Sequence, residues 1–259
     1  MDIKMIVTDL DRTLLRTDKT ISQYTADVLN RCRSKGIKIV FATARPKRTV
    51  DHFCLDVPID ALILHNGAVI YVGESPLANF GIEASAKDSI LQALSKNYPD
   101  ATLSVEINDV LYANFDIPTD ISPDWKYTKS DFFDLPQAPA DKIIIGVSSM
   151  DDIERFAKHI PDDLYIEMSS GDQVSLGLIM NRKATKWNAV KAVSEHFNIS
   201  TTDIVAFGDD YNDIVMLEGC GIGVAVSNAI NKAKDVADYL CDTNDNDGVA
   251  KWLEVRQIV

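Results

Sequence analysis

Short apolar segments that each end in a polar or glycine-rich turn constrain the fold of this chain more than any other feature. There are five: IKMIV before Asp9, IKIVFA before Thr43, DALIL before His65, DIVAF before Gly208 and GIGVAV before Ser227. As a set they are rich in β-branched residues and lack polar alternation, which is typical of strands covered on both faces. Helical patterns separate them, and strands that alternate with helices form doubly wound parallel sheets. The sequence therefore predicts an α/β fold with a Rossmann-like core.

Two of the intervening helices have recognisable ends. Ser22 and Thr185 are residue types that cap helices, both stand just before periodic apolar segments, and Gly36 follows the first of these segments. Serine and threonine side chains accept hydrogen bonds from the first N–H groups of a helix, and glycine commonly ends one. The expected apolar positions are Tyr24, Val28 and Cys32 in the first helix and Val190, Val193 and Phe197 in the second.

The middle of the chain, residues 82–178, follows another pattern. In TLSVEIN the apolar residues Leu103, Val105 and Ile107 alternate with polar ones, and a similar alternation recurs after Asp163. Alternation of this kind indicates a half-exposed antiparallel sheet. Two amphipathic helical patterns accompany it. We expect an α+β cap domain inserted into a core made of residues 1–81 and 179–259.

The composition disfavours some classes of partner. The chain has 26 Lys and Arg against 39 Asp and Glu, and its net charge of −13 argues against nucleic acid and anionic membranes. It has no run of about 18 apolar residues and no signal-peptide pattern at its N-terminus, so we expect a cytoplasmic protein. An anionic substrate would need a local positive site. Monomer and homodimer are both open.

Polar side chains cluster at the ends of the predicted strands, where open parallel sheets bind ligands. Asp9 and Asp11 follow the first strand, and GDDYND, residues 208–213, follows the fourth. Carboxylates concentrated at one edge require a cation, and oxygen ligands in a cytoplasmic protein favour Mg²⁺. Thr43 at another strand end and Lys186 at a helix start add donors suited to phosphate oxygens. A carboxylate nucleophile, a neighbouring carboxyl acid/base, a divalent metal and a phosphate clamp indicate phosphoryl transfer.

In this order, the motifs resemble those of the haloacid dehalogenase superfamily of phosphohydrolases. The resemblance is carried by DLDRT at 9–13, FATARP at 41–46, Lys186 in NRKATKWNAV and GDDYND at 208–213. HNGA at 65–68, SNAINKAKDVADY and the late DNDGVA are similar to the Cof-like subfamily, whose cap lies between the second and third motifs. The inserted segment falls at that place, so the resemblance covers essentially the whole chain.

The resemblance implies a Mg²⁺-dependent phosphatase that acts on small phosphorylated metabolites, such as sugar phosphates, through an aspartyl-phosphate. Asp9 would be the nucleophile. Asp11 would protonate the leaving oxygen and then activate water. Thr43 and Lys186 would hold the phosphoryl oxygens as their charge increases in the transition state.

The same resemblance implies a set of metal and phosphate ligands. Mg²⁺ would be held by the carboxylates of Asp9 and Asp209 and by the main-chain carbonyl of Asp11. Asp213 would bind the metal directly or through water, and Asn212 would assist in binding the phosphate.

Several neighbouring residues have more than one possible role. Arg45 and Asn66 stand at strand ends, where each would either contact substrate or support the fold through hydrogen bonds. His65 has no evident acid/base partner in the sequence, which favours a structural role. Asp210 is placed to cap a helix or to support Asp209.

Three positions depart from the usual pattern of the subfamily. Arg12 and Trp187 stand where glycine is frequent, and Ala44 replaces the glycine that commonly follows the threonine. None of these changes removes a reacting group. Arg12 would either crowd the turn after Asp11 or add a positive charge near the leaving group.

Other functions share parts of this pattern. A phosphomutase or phosphotransferase of the same superfamily needs only a different acceptor, and product analysis would distinguish it. A sugar-phosphate sensor would bind ligand without Mg²⁺-dependent turnover, but it would not need both aspartates. A signalling receiver domain would be much shorter and would have no inserted cap.

Overall fold

The computed structural model describes residues 3–52, 57, 59–117, 127–170 and 175–258, apart from the side chains of 169 and 170. The chain forms two compact units, Met1–Ala78 with Thr185–Val259, and Asn79–Ala184. The expected insertion, 82–178, lies within the second unit, which extends past it at both ends. At the C-terminal end the strand Ser175–Asn181 belongs to the sheet of this unit. Throughout the described ranges, helices are too short or too polar to cross a bilayer.

Strands and helices alternate along much of the chain. The strands are β1 (Met5–Thr8), β2 (Lys38–Ala42), β3 (Ala61–Leu64), β4 (Val69–Val72), β5 (Ser75–Asn79), β6 (Leu103–Ile107), β7 (Val110–Ala113), β8 (Tyr127–Lys129), β9 (Lys142–Gly146), β10 (Leu164–Ser170), β11 (Ser175–Asn181), β12 (Ile204–Gly208), β13 (Ile222–Val226) and β14 (Tyr239–Cys241). The helices are α1 (Gln23–Ser34), α2 (Lys47–Val50), α3 (Ala84–Asn97), α4 (Met150–Ala157), α5 (Lys186–Phe197), α6 (Ile214–Gly219), α7 (Asn231–Val236) and α8 (Gly248–Val255). Short 3-10 turns lie at His65–Gly67, Thr201–Asp203, Tyr211–Asp213 and Asn244–Asn246.

The first unit is built on a sheet with the strand order β14-β13-β12-β1-β2-β3-β4-β5. Neighbours from β14 to β3 are parallel, whereas β3 and β4 are antiparallel. β1 is central: Met5 pairs with Ile204 of β12 on one side and with Lys38 of β2 on the other. The five segments predicted as buried strands correspond to β1, β2, β3, β12 and β13, which confirms the doubly wound α/β core.

Strands β4, β5 and β14 extend this sheet beyond the prediction. β4 follows the turn His65–Gly67 and folds back on β3. β14 has three residues, lies at the sheet edge and exposes Leu240. Such a strand lacks a continuous buried apolar segment, so hydrophobic pattern does not predict it.

Helices cover the core sheet. α1 packs on α8 and β2, whereas α5 packs on β3, β4 and α6. Every residue of β1, β12 and β13 is buried, as expected of strands with both faces covered.

The two predicted N-caps are confirmed. The hydroxyls of Ser22 and Thr185 each accept a hydrogen bond from the main-chain N–H three residues ahead, at 3.0 and 3.1 Å respectively. Gly36 follows α1 with a φ of 87°, a left-handed conformation that glycine adopts without strain. Tyr24 differs from its prediction as an apolar core position, because it is exposed and its hydroxyl donates to Glu254 at the surface.

The second unit contains a sheet with the strand order β10-β11-β9-β6-β7-β8. Its described pairs are antiparallel except for β7 with β8, which is parallel. One hydrophobic cluster joins α3 and α4 to the strands, with Leu94 and Phe156 among its members. The prediction of a half-exposed sheet is wrong at β6, because Ser104 and Glu106 are buried as well as Val105. This strand is buried on both faces.

Candidate active site

Four loops at one edge of the core sheet carry predicted site residues. Asp9 follows β1, Thr43 follows β2, the turn His65–Gly67 follows β3, and Asp209 follows β12. These strands are parallel neighbours, so their carboxyl ends lie at the same edge. Main-chain hydrogen bonds continue past the strand ends: the N–H of Asp9 donates to a carbonyl of β12 at 3.0 Å, and the N–H of Thr43 to a carbonyl of β3 at 2.8 Å. The loops are therefore held in fixed register with one another.

Lys186, the first residue of α5, holds two carboxylates. Its Nζ lies 2.6 Å from Oδ1 of Asp9 and 2.7 Å from Oδ1 of Asp213. The side chains of Lys186, Asp9 and Asp213 are 0%, 8% and 0% exposed. A buried ammonium requires partners because an unpaired charge in the interior is costly. The Thr185 cap determines where α5 begins and thus places Lys186 at the sheet edge.

Asp209 completes a cluster of three buried carboxylates, which we call the carboxylate cluster, with Asp9 and Asp213. One oxygen from each residue lies within 4.8 Å of the other two. Oδ1 of Asp209 accepts a hydrogen bond from the Thr13 hydroxyl at 3.1 Å, and Nε of Arg12 lies 3.8 Å from Oδ2. Carboxylate oxygens at this spacing are hard donors of the kind that Mg²⁺ prefers, so the cluster fits a divalent cation.

Lys186 alone does not balance the charge of the carboxylate cluster. Burial raises the pKa of Asp9 well above its ordinary range; Lys186 opposes this rise, and the charges of Asp213 and Asp209 add to it. Burial, followed by the charge of Asp213, raises the pKa of Asp209 to about 6. Burial alone would lower the pKa of Lys186, but its two carboxylate partners raise it above its ordinary value. The cluster therefore attracts further positive charge, as a metal site does.

Asp213 is anchored by the loop that follows β12. Its Oδ2 accepts hydrogen bonds from the N–H groups of Asp209 and Asp210, at 2.9 and 3.1 Å. Asp210 caps the same turn by accepting from the N–H of Tyr211, which is the capping role indicated by the sequence. Gly208 leaves the necessary room, because a Cβ there would lie 2.5 Å from Cβ of Asp213. A larger residue at this position would displace the Asp213 carboxylate.

The carboxylate of Asp11 forms a separate group of ion pairs. Nε and Nη2 of Arg45 donate to it at 2.5 and 2.6 Å, and Nζ of Lys19 donates at 2.7 Å. Burial would raise the pKa of Asp11, but the hydrogen bonds from Arg45 and Lys19 outweigh burial and lower it. Across the residues that the structure describes, the oxygens that could share a metal do not include this carboxylate. A ligand from Asp11 would then be its main-chain carbonyl.

Thr43, Asn66 and Asn212 lie in the surrounding loops. Thr43 is fully buried, and its Oγ1 accepts from the N–H of Arg45 at 3.2 Å. Asn66 has a left-handed backbone, with φ of 60°, and its Oδ1 accepts from Nδ2 of Asn212 at 2.9 Å. This bond joins the turn after β3 to the turn after β12, so two of the predicted substrate ligands lie side by side. His65 is buried, as a structural role requires.

Sequence reasoning missed two residues that shape this site. Thr13 binds Asp209 and Lys19 binds Asp11, and neither had a predicted role. Thr13 stands within DLDRT, close in the sequence to Asp9 and Asp11, and this closeness could have indicated that Thr13 belongs to the site. Lys19 lies in a loop eight positions after Asp11, and no spacing rule connects the two.

Comparisons with known proteins cover both units. Residues 6–253 match the family model of haloacid dehalogenase-like hydrolase. The chain is 28% identical to the 5-amino-6-(5-phospho-D-ribitylamino)uracil phosphatase of Bacillus subtilis, over 98% of this chain and 95% of that protein. It is 25% identical to the pyridoxal phosphate phosphatase of Escherichia coli, over 98% of each chain. A solved structure of a phosphatase of the haloalkanoate (HAD) superfamily from Bacteroides thetaiotaomicron is 25% identical and superposes with a TM-score of 0.83, covering 99% of this chain and 96% of that one.

Proposed function

Since the chain belongs to the haloacid dehalogenase-like hydrolase family and is a phosphoric monoester hydrolase, we propose that it releases phosphate from small phosphorylated metabolites, chiefly sugar phosphates, with Mg²⁺ and through an aspartyl-phosphate on Asp9. The observation that carries this proposal is the buried contact of Lys186 with Asp9 and Asp213, beside Asp209. It combines a nucleophile, a fixed positive charge and a cation site at the ligand-binding edge of the sheet. The family and the enzyme class predicted from the sequence are confirmed.

In the proposed first step, a carboxylate oxygen of Asp9 attacks phosphorus in line. An oxygen–phosphorus bond forms as the ester bond breaks, and the leaving oxygen takes a proton from Asp11. Lys186 favours the ionised form of Asp9 and stands beside the phosphoryl oxygens as they gain charge. In the second step, Asp11 takes a proton from water, the water oxygen bonds to the same phosphorus, and inorganic phosphate departs from Asp9.

The ion pairs of Asp11 affect these two steps differently. Arg45 and Lys19 keep Asp11 ionised, which suits its task as a base towards water. Donation to the leaving group requires Asp11 to take up a proton first and to weaken its contact with these cations. We therefore assign two successive contacts to Arg45. It pairs with Asp11 while the site holds no substrate, and it pairs with the substrate once the substrate is bound.

The proposed ligands of Mg²⁺ are the carboxylates of Asp9 and Asp209 and the main-chain carbonyl of Asp11. The donor set fits this ion because the carboxylate cluster is buried, offers only oxygen atoms and is short of positive charge. When bound, Mg²⁺ would act as a Lewis acid towards the phosphoryl oxygens. We assign Asp213 a link through water, because Lys186 and two main-chain N–H groups already bind its oxygens.

Substrate choice is proposed from the relatives and from the position of the site. The Bacillus subtilis and Escherichia coli relatives are named for a phosphorylated ribityl compound and for pyridoxal phosphate, which are both small phosphate monoesters. Thr43, Asn66 and Asn212 would bind the phosphate and the atoms next to it. A site at the edge of a sheet contacts little else of a substrate, so we propose that the second unit acts as a cap that selects the leaving group. We place the enzyme in the cytoplasm, without nucleic-acid or membrane partners.

A panel of phosphate monoesters tests the proposal. Release of inorganic phosphate is measured from sugar phosphates, pyridoxal phosphate and nucleoside monophosphates, with Mg²⁺ and with excess EDTA. We expect release from sugar phosphates that stops in EDTA and returns when Mg²⁺ is restored. Full turnover in EDTA would contradict the metal assignment. Transfer of the phosphate to a second sugar would identify a phosphomutase, and tight binding without turnover would identify a sensor.

A further inference from the structure

Arg12 is held in place at the rim of the carboxylate cluster. Its backbone has a φ of 61°, a left-handed conformation that a non-glycine residue adopts at an energetic cost. Nδ2 of Asn228 donates to the carbonyl of Arg12 at 2.7 Å, and Nη2 of Arg12 donates to the carbonyl of Asn228 at 3.3 Å. Asn228 is itself held by the N–H of Asn244, which donates to its Oδ1 at 3.1 Å. The loop after β13 therefore positions the guanidinium, although 59% of the side chain is exposed.

The guanidinium faces the third carboxylate of the cluster. Lys186 contacts Asp9 and Asp213, whereas Nε of Arg12 lies 3.8 Å from Oδ2 of Asp209. Thr13 binds Oδ1 of Asp209 while Arg12 faces Oδ2, so a cation bound to this carboxylate would lie close to the guanidinium. The guanidinium would repel a divalent cation bound to Asp209, because both groups are positive and like charges that contact the same carboxylate interact appreciably at a protein surface.

We propose that Arg12 is a built-in counter-ion of the metal site: its guanidinium offsets part of the negative charge at Asp209 and thereby lowers the affinity of the site for a divalent cation. This inference rests on the proposed function in that it takes Asp209 as a metal ligand. Arg12 acts through its charge, both on Asp209 and on the incoming cation. With an uncharged side chain at this position, the carboxylate cluster would hold a greater excess of negative charge and would bind a divalent cation more tightly.

The chain offers a matched control for removing this ion pair. Nε of Arg33 lies 3.9 Å from Oδ2 of Asp60, and the Arg33 side chain is 52% exposed. Asp60 precedes β3 and so lies at the opposite edge of the sheet. Arg12→Gln and Arg33→Gln therefore remove the same charge and similar ion pairs, one at the carboxylate cluster and one far from it. Glutamine, like arginine, has a side chain that makes a positive φ costly, so this backbone cost at position 12 is the same in the wild type and in Arg12→Gln. The two proteins therefore differ mainly in the charge at position 12.

Isothermal titration calorimetry of the full chain with Mg²⁺ alone tests the inference. We expect Arg12→Gln to lower the dissociation constant about threefold to tenfold, and Arg33→Gln to leave it unchanged. The difference in affinity between Arg12→Gln and the wild type should decrease as salt is added, because salt screens the charge of an exposed guanidinium. Equal or weaker binding by Arg12→Gln, or the same gain in Arg33→Gln, would overturn the role of Arg12. If neither the wild type nor any variant bound Mg²⁺, the metal assignment of the proposed function would fail, and the role of Arg12 with it.

Discussion

Asp141, a buried carboxyl in the second unit, should make the stability of this protein depend on pH, and replacing it with asparagine should remove the part of that dependence that Asp141 contributes. Asp141 is 3% exposed, and its N–H donates to the main-chain carbonyl of Glu106 at 2.8 Å. Burial and then the charge of Glu106 raise the pKa of Asp141 from 3.8 to about 7, although Lys142 and a hydrogen bond with Asn79 oppose the rise.

The sign of the effect follows from which state binds the proton more tightly. With a pKa raised from 3.8 to about 7, Asp141 stays protonated in the folded chain after it has ionised in the unfolded chain. Its contribution to stability is fully present below the lower pKa and is lost as pH rises through the higher one. At about 1.4 kcal/mol for each unit of pKa, the whole loss is about 4 kcal/mol. An asparagine amide at this position cannot ionise, so Asp141→Asn loses none of this stability as the pH rises.

Urea unfolding followed by circular dichroism measures this loss. Asp162→Asn replaces an exposed carboxyl of the same unit and serves as the control. Between about pH 5 and about pH 8, the free energy of unfolding of Asp141→Asn should rise by about 2 to 3 kcal/mol relative to the wild type. The Asp162→Asn difference should stay constant. A constant difference for Asp141→Asn would refute the reasoning, because the carboxyl would then ionise alike in both states.

Three further predictions concern catalysis. Asp9→Asn should keep the fold, because its amide oxygen can still accept from Lys186, but should lower phosphate release by at least about a thousandfold; turnover near the wild-type rate beside an unchanged circular dichroism spectrum would exclude Asp9 as the nucleophile. Arg45→Gln removes ion pairs that lower the pKa of Asp11, so the acidic limb of the kcat profile, where Asp11 must be ionised to take a proton from water, should move to higher pH; an unmoved limb would mean that Asp11 does not set it. Replacing the second unit, residues 79–184, with a short linker should leave a folded core that binds Mg²⁺ and hydrolyses a small activated ester without discriminating among sugar phosphates, and discrimination equal to that of the intact chain would place specificity in the core loops.

The fold could be predicted where burial is complete and continuous. β1, β2, β3, β12 and β13 are covered on both faces, so their sequences lack the polar alternation that would make them ambiguous. β14 escaped prediction because a short edge strand depends on main-chain pairing more than on buried side chains. At β6 the pattern predicted exposure that the structure does not have. Ser104 and Glu106 are polar residues at alternating positions, which is typical of a face exposed to solvent, yet both are buried.

The candidate site, too, could be predicted from the sequence only in part. That Asp9, Lys186, Asp209 and Asp213 come together could be predicted, because each follows a strand or lies at or near the start of a helix and the parallel sheet aligns those ends. The partners of Asp11 could not be predicted. Arg45 and Lys19 reach it through long side chains, whose directions depend on the packed loops and not on spacing in the sequence.

The central position of β1 also governs when activity can arise during synthesis. Met5 pairs with Ile204, so this edge of β1 cannot pair until residue 204 has been made, and the whole second unit is made within that interval. At about 5 to 20 residues per second, that interval lasts about 10 to 40 s. The strands of the second unit pair among themselves, so it can fold during the interval, before the core is complete. Asp9 meets Lys186 and Asp213 only after residue 213 has been made, so a nascent chain that lacks this residue has no carboxylate cluster and stays inactive.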